Sequence, residues 1–382
     1  MRVRQLDTLS PRDVHQFIAF PFELYRDCPQ WVPPLWGDME LVLNRRKHPF
    51  YRHSAAEFFV AEEDRPALGR PTLGRRTLGR LAVLDNRVYN EARQKREAFF
   101  YYLDMVEDKA VTCALFDAAI TWAKGRGLEH LAGARGFMQG DGQGILIEGF
   151  EHRPAVGIPY NYAYYDALLS DAGFRKDTDT FSGYLSGTYE LPPRFYEIAE
   201  KVKERRGLRI RSFTSRRDLR AWVPRIGKLV TESFAEHADA WPMTEEESLV
   251  VSERLLSIAD PRLIKLVMKG EEVIGFLFAF HDISAAIQRI KGRVWPFGWI
   301  ALLREFRRTT WLNINGVGLL PQHQGVGANA VLYTEMARSV RDFHFLHADV
   351  VQVEEKNRKS LGDMAAIGVQ WYKTHRIYTR AI

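Results

Sequence analysis

One stretch of this chain limits its fold more than any other. From Thr310 to Leu320 the residues read as a strand and Pro321 ends it, after which Gln324-Gly325-Val326-Gly327-Ala328 leads at once into a long amphipathic run to Phe343. A strand, a glycine turn and a helix in immediate succession place consecutive backbone N–H groups at a helix N-terminus, where partial positive charge favours a phosphate. Glycine has a physical reason to stand there, because a Cβ would keep a bulky pyrophosphate away from the backbone. The turn lacks the Gly-Lys-Ser/Thr ending of a nucleoside-triphosphate loop, and Ala330 stands where a third glycine of G-x-G-x-x-G would fall.

The surrounding order of elements is readable. Leu191-Pro192-Pro193 opens a helix over Arg194–Arg206 that Gly207 closes, proline being suited to a first helical turn. Leu208–Phe213 alternates as a half-buried strand does. A first domain over residues 1–190, a linking helix over 191–207 and a second domain over 208–382 are therefore expected. In the second domain the pattern predicts helices over Arg216–Glu236 and Thr244–Ile258, then strands Arg262–Met268 and Val273–Phe280 joined as a hairpin at Lys269-Gly270. An insertion, Ala285–Arg308, carries apolar and basic residues around Pro296-Phe297-Gly298. Strand Thr310–Leu320, helix Gly325–Phe343, strand Asp349–Val353, helix Asn357–Ile367 and strand Gln370–Arg380 complete it.

The first domain shows a hairpin of Phe58–Glu62 and Gly79–Leu84, strand Phe99–Val106, helix Val111–Lys124, strand Leu128–Ala132 and helix Tyr164–Leu169. The hairpin loop holds Leu68-Gly69-Arg70, Leu73-Gly74-Arg75 and Leu78-Gly79-Arg80, a five-residue repeat. That period is too short for a solenoid unit and reads as a basic loop expansion.

Composition narrows the function classes. The 382 residues are 46% hydrophobic and 27% charged, enough for two buried cores. Lys and Arg outnumber Asp and Glu by 54 to 48, but they are spread along the chain among acidic residues, so no nucleic-acid partner is expected. No apolar run approaches the ~18–20 residues that span a bilayer, and the stretch from Met1 to Asp13 has no apolar export core. A cytoplasmic chain without a membrane partner is expected. Cys28 and Cys113 alone cannot build a disulfide framework or a Cys-based zinc ribbon. His344 and His347, with Asp349 nearby, fall where a helix end passes into a strand, so no metal is expected. Neither G-x-S-x-G nor H-E-x-x-H occurs.

The second half resembles the acyl-CoA N-acyltransferase (GNAT) superfamily. That family's pyrophosphate loop, P-x-x-[RQ]-G-x-G, is matched by Pro321, Gln324, Gly325 and Gly327. Its next helix opens on an asparagine followed eleven residues later by a glycine, matched by Asn357 and Gly368. The order of elements across residues 208–382 agrees. The resemblance implies an α/β protein of two tandem GNAT-like domains, with mixed central sheets flanked by helices. It implies a CoA-dependent N-acyltransferase carrying acetyl from acetyl-CoA to a primary amine, the acceptor being a small molecule or peptide and a homodimer left open. Backbone groups of Val317 and Leu319 would line the pantetheine arm, the amides of Gln324, Gly325, Val326, Gly327 and Ala328 would hold the pyrophosphate, and Asn357 would stand beside the cofactor.

The family's general acid is often a tyrosine seven residues after that asparagine, where this chain has Met364. Tyr372, Tyr378 and Tyr333 are the substitutes, and a non-catalytic acyl-CoA-binding protein is the alternative. Glu355, beside Glu354 at the end of the strand before Asn357, is the chosen base, ahead of His347 and His323. In the first domain Tyr165, Leu169, Gly173 and Phe174 resemble the late helix and its Gly-Phe ending. The loop position holds Glu107-Asp108-Lys109-Ala110, with no glycine, so a degenerate copy that binds no CoA there is expected. The glycine-rich run Arg135–Gly144 looks like that of an uncharacterised bacterial group of tandem GNAT-like proteins.

Overall fold

The computed structural model describes residues 1–64, 75–234, 240–325 and 327–382. Its residues gather into two compact units, one of Met1–Thr180, Ser284–Leu303 and Lys373–Ile382, the other of Phe181–Ile283 and Arg304–Tyr372. The chain thus returns to the first unit twice.

The first unit is built on β1 (Arg2–Gln5), α1 (Pro11–Leu24), α2 (Trp36–Leu43), β2 (Ala55–Asp64), β3 (Arg75–Asp85), α3 (Arg87–Arg93), β4 (Glu97–Met105), α4 (Lys109–Lys124), β5 (His130–Gly133), β6 (Ile145–Glu148), α5 (Tyr164–Asp171) and the opening of β7 (Arg175–Ser186). Helix α1 starts where Ser10 Oγ accepts the Asp13 N–H and Pro11 occupies the first turn. Strands β1 to β4 pair antiparallel in sequence, and β5 lies parallel to β4. The five-residue repeat needs correcting here. Its third copy, Leu78-Gly79-Arg80, lies inside β3, and Arg80 is buried with its guanidinium on the Asp104 carboxylate at 2.7 Å and the Phe17 carbonyl at 2.6 Å. An arginine satisfied in this way is a core group, since burying its charge unpaired would be costly. Leu68-Gly69-Arg70 and Leu73-Gly74 lie outside the described residues.

Then follow α6 (Pro193–Arg206), β8 (Leu208–Ser212), α7 (Arg216–Phe234), α8 (Glu245–Ile258), β9 (Ile264–Lys269), β10 (Glu272–His281), α9 (Ser284–Arg289), α10 (Gly298–Arg308), β11 (Trp311–Leu319), α11 (Ala328–Asp342), β12 (His347–Glu354), α12 (Arg358–Ala366) and β13 (Gln370–Ala381). The insertion seen in the sequence forms α9 and α10. In the second unit β8, β9, β10 and β11 pair antiparallel in that order, and β12 joins β11 in parallel.

Side-chain alternation gives this sheet two buried faces. On one, Leu277, Leu312, Ile314 and Val350 pack with Leu332 and Met336 of α11 and Met364 of α12. On the other, Leu266, Phe276 and Phe280 pack with Leu219 and Leu229 of α7 and Leu256 of α8. Helix α6, expected as a linker, packs on α11 through Ala199, Ala330 and Val331. The result is a three-layer α/β arrangement.

The C-terminal segment of the first unit carries a stability switch. His375 is fully buried with Nε2 on the Pro159 carbonyl at 2.9 Å, and burial pushes its imidazole down to about 4. The unfolded side chain takes up a proton near pH 6.5 and the folded one near pH 4. Stability is therefore lost as pH falls through that window, by at most about 1.4 kcal/mol per pH unit. Urea unfolding of His375→Gln should show a shallower loss than wild type between those pH values; equal slopes would contradict this.

Candidate functional site

The site starts from a short ladder. β11 and β12 pair over Trp311–Ile314 and His347–Val350. Past that point both strands break phase. On β11 the register against β10 slips, Ile314 facing Ala279 and Gly316 facing Phe278, so Asn315 is an extra residue. The same break shows in the side chains: Leu312 and Ile314 enter one core, and the next residues to face it are Val317 and Leu319. On β12, Ala348 and Val350 are followed by Val353 in that core, Gln352 has φ of 46°, and its N–H donates to Ser182 Oγ at 3.3 Å. Bulges bend strands and end pairing. The two strands part where the bulges fall, and the backbone of Gly316–Leu319 on the side toward β12 is left for another partner.

The opening leads to the glycine turn. Pro321–His323 form one 3-10 turn, and the Gln324 N–H donates back to the Pro321 carbonyl at 3.2 Å. The Gln324 side chain accepts from Lys359 Nζ at 2.9 Å. Gly325 has φ of 71°, and Gly327, the N-cap of α11, has φ of 82°. Both angles favour glycine, for different surroundings. A Cβ on Gly325 would meet nothing within 4 Å, whereas one on Gly327 would come within 3.0 Å of Val202 and 3.2 Å of Ile198 on α6. Ala328 is buried at the helix start; Val326 lies outside the described residues. Asn357 is the N-cap of α12, its Oδ1 accepting the Ser360 N–H at 3.1 Å. Asp363 ties α12 to α11 by accepting from Asn329 Nδ2 at 2.6 Å and Tyr333 Oη at 3.1 Å. Burial and that carboxylate hold the Tyr333 phenol well above its ordinary value.

Met364 occupies the shared core of the sheet, α11 and α12. Met364→Tyr should therefore overpack the core and cost about 1–3 kcal/mol in denaturant unfolding, rather than supply an acid. An undiminished midpoint with raised acyl-transfer activity would contradict this.

On the opposite face of the sheet, where the ladder ends, lies a polar cluster that brings Tyr372, named from the sequence as an acid, together with Asn313, Asp349 and Asp282, to which the sequence analysis gave no catalytic role. Asn313 and Asp349 are direct partners across β11 and β12, and both are buried, as is Asp282 just after β10. Asn313 Nδ2 donates to Asp282 at 3.4 Å. The Tyr372 phenol hydrogen-bonds Asp349; burial, then the Asp349 and Asp282 carboxylates, push it far above its ordinary value. His347 Nδ1 lies 2.9 Å from Tyr184 Oη and its ring stacks on Trp311. A signal was present: Asn313 and Asp349 are each flanked by apolar residues within a strand, and a buried polar group needs a partner.

The other candidates have separate settings. Glu354 closes β12, and Glu355 follows in the turn to α12, half-buried. Tyr378 belongs to the first unit, where its hydroxyl donates to the Asp166 carboxylate. His323 lies 3.8 Å from Glu272. Among the described residues no three His, Cys, Asp or Glu side chains are grouped to hold a metal ion.

The first unit repeats the splayed geometry. β4 and β5 pair in parallel from Glu97 with His130 to Phe100 with Gly133, and the β3–β4 register then slips at Tyr102, whose φ is 47°. No family model matches the chain. It is 25% identical to a bacterial ceramide synthase of Caulobacter vibrioides (strain NA1000 / CB15N), over 98% of this chain and 96% of that protein. It is likewise 25% identical to the protein YghO of Escherichia coli (strain K12), over 98% and 94%. A tandem GNAT protein from the clavulanic acid biosynthesis pathway superposes with a TM-score of 0.55 at 11% identity, covering 100% of this chain and 98% of that one. A GCN5-related N-acetyltransferase from Sphaerobacter thermophilus does so at 0.50 and 14%, covering 99% and 95%. The chain has a tandem GNAT-like fold.

The two GNAT-like repeats differ in what occupies the open positions. In the first, Asp108 caps α4, its carboxylate accepting the Ala110 N–H at 2.7 Å, so an internal anion sits at that helix start. Met105 lies three residues past Tyr102, as Gly318 lies three past Asn315. The Met105 N–H donates to Tyr165 Oη at 2.8 Å, and the Tyr164 hydroxyl donates to the Met105 carbonyl at 2.7 Å. The first GNAT-like repeat thus satisfies with α5 the strand end that the second leaves open.

Proposed function

We propose that this chain transfers an acyl group from a CoA thioester to a primary amine, with its donor site in the second GNAT-like repeat. The observation that carries this reading is that the bulged β11 and β12 stop pairing after Ile314 and Val350, next to the buried Asn313–Asp349 pair, before β11 runs on to the glycine turn at the start of α11. In this reading the N–H groups of Gly325, Gly327 and Ala328 meet the pyrophosphate, and the Gln324 amide serves the turn itself. The pantetheine arm runs along Gly316–Leu319, and the thioester reaches the polar cluster through the gap.

The amine nitrogen attacks the thioester carbonyl, the C–S bond breaks, one amine proton goes to Asp349, and the thiolate takes up a proton to leave as CoA thiol. Asp349 is favoured over Glu355 because it stands at the end of the ladder and is already oriented by Tyr372. A phenol held so far above its ordinary value surrenders its proton less readily than a thiol does, so Tyr372 positions Asp349 in this account. Tyr378, bonded to Asp166 in the first unit, takes no part. The first repeat, with its strand end and helix start occupied, holds no donor.

The similarity to a protein named ceramide synthase bears on the finer identity. A ceramide is a fatty amide of a long-chain amino alcohol, which favours a fatty acyl donor and a lipid amine over the acetyl transfer first expected. Incubation with acetyl-, octanoyl- and palmitoyl-CoA and a long-chain amino alcohol, read by mass spectrometry of the amide, tests this. Amide formation rising with chain length is expected; amide from acetyl-CoA alone would return the reading to acetyl transfer, and donor binding without any amide would favour a non-catalytic acyl-CoA-binding protein.

A further inference from the structure

The segment from Arg289 through α10 serves neither the glycine turn nor the polar cluster. Trp295 and Phe297 are the most exposed large aromatic side chains among the described residues, at 81% and 74%, and Trp299 and Leu303 follow at 43% and 53%. α10 has no buried residue. Trp299, Leu303 and Phe306 stand at i, i+4 and i+7 on one stripe of the helix, and Phe306 seats the far end of that stripe against the His281 ring, 4.3 Å between centroids. The stripe thus touches protein at Phe306 and is open to water at Leu303, which is exposed along with Arg304, Arg307 and Arg308.

This exposure is a held feature. In the first unit Gln288 Nε2 donates to the Pro29 and Trp31 carbonyls at 2.8 and 2.9 Å, and the Trp36 N–H donates to the Gly292 carbonyl at 2.9 Å. The Arg293 guanidinium lies over the Trp36 ring at 4.0 Å. The tip is shaped by the Trp299 indole N–H on the Pro296 carbonyl at 3.0 Å. Along the chain the segment also carries Arg289, Lys291, Arg293, Arg304, Arg307 and Arg308, with Glu305 the sole acidic residue from 289 to 308.

Exposed aromatic rings carried on a basic segment suit a surface that offers hydrocarbon beside phosphate. We infer that residues 291–308 dock on an anionic lipid bilayer, Trp295 and Phe297 entering the boundary between headgroups and acyl chains while the arginines meet lipid phosphates. A second copy of the chain fits the same surface poorly, because a symmetric contact would set one basic face against another. No helix among the described residues is long and apolar enough to cross a membrane, so the contact is peripheral. This departs from the sequence expectation of no membrane partner. It stands on the segment's own exposure and charge, independent of the acyl-transfer reading.

Flotation of the full chain with vesicles of phosphatidylcholine alone, or with roughly a third phosphatidylglycerol, tests it. Wild type should partition to the anionic vesicles at least ~10-fold more strongly, with the preference weakening as salt rises. W295S/F297S and R304E/R307E should each lose on the order of 10-fold of that binding with unchanged thermal unfolding, since all four side chains are exposed. No binding by wild type, equal binding to both vesicles, or full binding by both variants would overturn the inference. So would a dimer of wild type in light scattering that W295S/F297S dissociates while vesicle binding is absent, which would assign the face to a second copy.

Discussion

Asp349→Asn is expected to lower kcat/KM for acyl transfer by about 10²- to 10⁴-fold, the range a positioned proton acceptor contributes, with acyl-CoA affinity changed by no more than about twofold. The substitution keeps the volume and the hydrogen bond to Tyr372 but removes the group that can take the amine's proton. Asp349 is buried beside Asn313 at the last rungs of the β11–β12 ladder, on the face away from α11. Binding along the strand backbone and at the helix start therefore does not depend on it. Tyr372→Phe should cost less, on the order of 10-fold, because it releases the carboxylate from its bond without removing it. Glu355→Gln is the counter-test, since Glu355 was the base expected from the sequence and stands in the turn past β12. A large loss in Glu355→Gln with normal turnover in Asp349→Asn would place the base where the sequence put it. Equal loss of donor affinity and turnover in Asp349→Asn would mark a structural role.

Gly325→Asp should weaken acyl-CoA binding by on the order of 10- to 100-fold in calorimetry, through a negative charge set beside the pyrophosphate. Gly325 is the better of the two loop glycines for this experiment. Its left-handed φ of 71° is one that Asp and Asn adopt more readily than other residues, and the space beyond it is open. A side chain on Gly327 would instead press on Val202 and Ile198, and any loss there would mix packing with electrostatics. Gly325→Asn supplies the control, having the same shape and backbone preference without the charge, and should bind within a few-fold of wild type. Equal binding by Gly325→Asp and Gly325→Asn would remove the pyrophosphate from this turn.

The fold was legible in the second half because local signals there agree. Pro193 and Gly207 frame α6, Lys269-Gly270 marks a hairpin, and the glycine turn announces both the end of β11 and the start of α11. The return of the chain to the first unit at Ser284–Leu303 and Lys373–Ile382 left no such trace, because it depends on pairing between residues far apart in sequence. The loop half of the site was readable since it is local: the turn needs positive φ, and glycine shows where. The chemical half was readable only in Tyr372. Asn313 and Asp349 come from two strands and Asp282 from the residue after a third, and they become a cluster only when β10, β11 and β12 are aligned. The bulge was written faintly, in Leu312 and Ile314 followed by Val317 and Leu319, a spacing of three inside a run that should alternate by two. Arg80 shows the opposite error, a repeat motif taken for a basic loop expansion where β3 buries the charge against Asp104.

The most direct test of the whole account is amine-dependent release of free thiol from acyl-CoA by the full wild-type chain, followed with a thiol reagent. Release that requires the amine, saturates with both substrates and disappears in Gly325→Asp at limiting donor is the predicted result. Thiol release equal with and without amine, or none with any donor tried, would contradict transfer of an acyl group to an amine at the opening between β11 and β12.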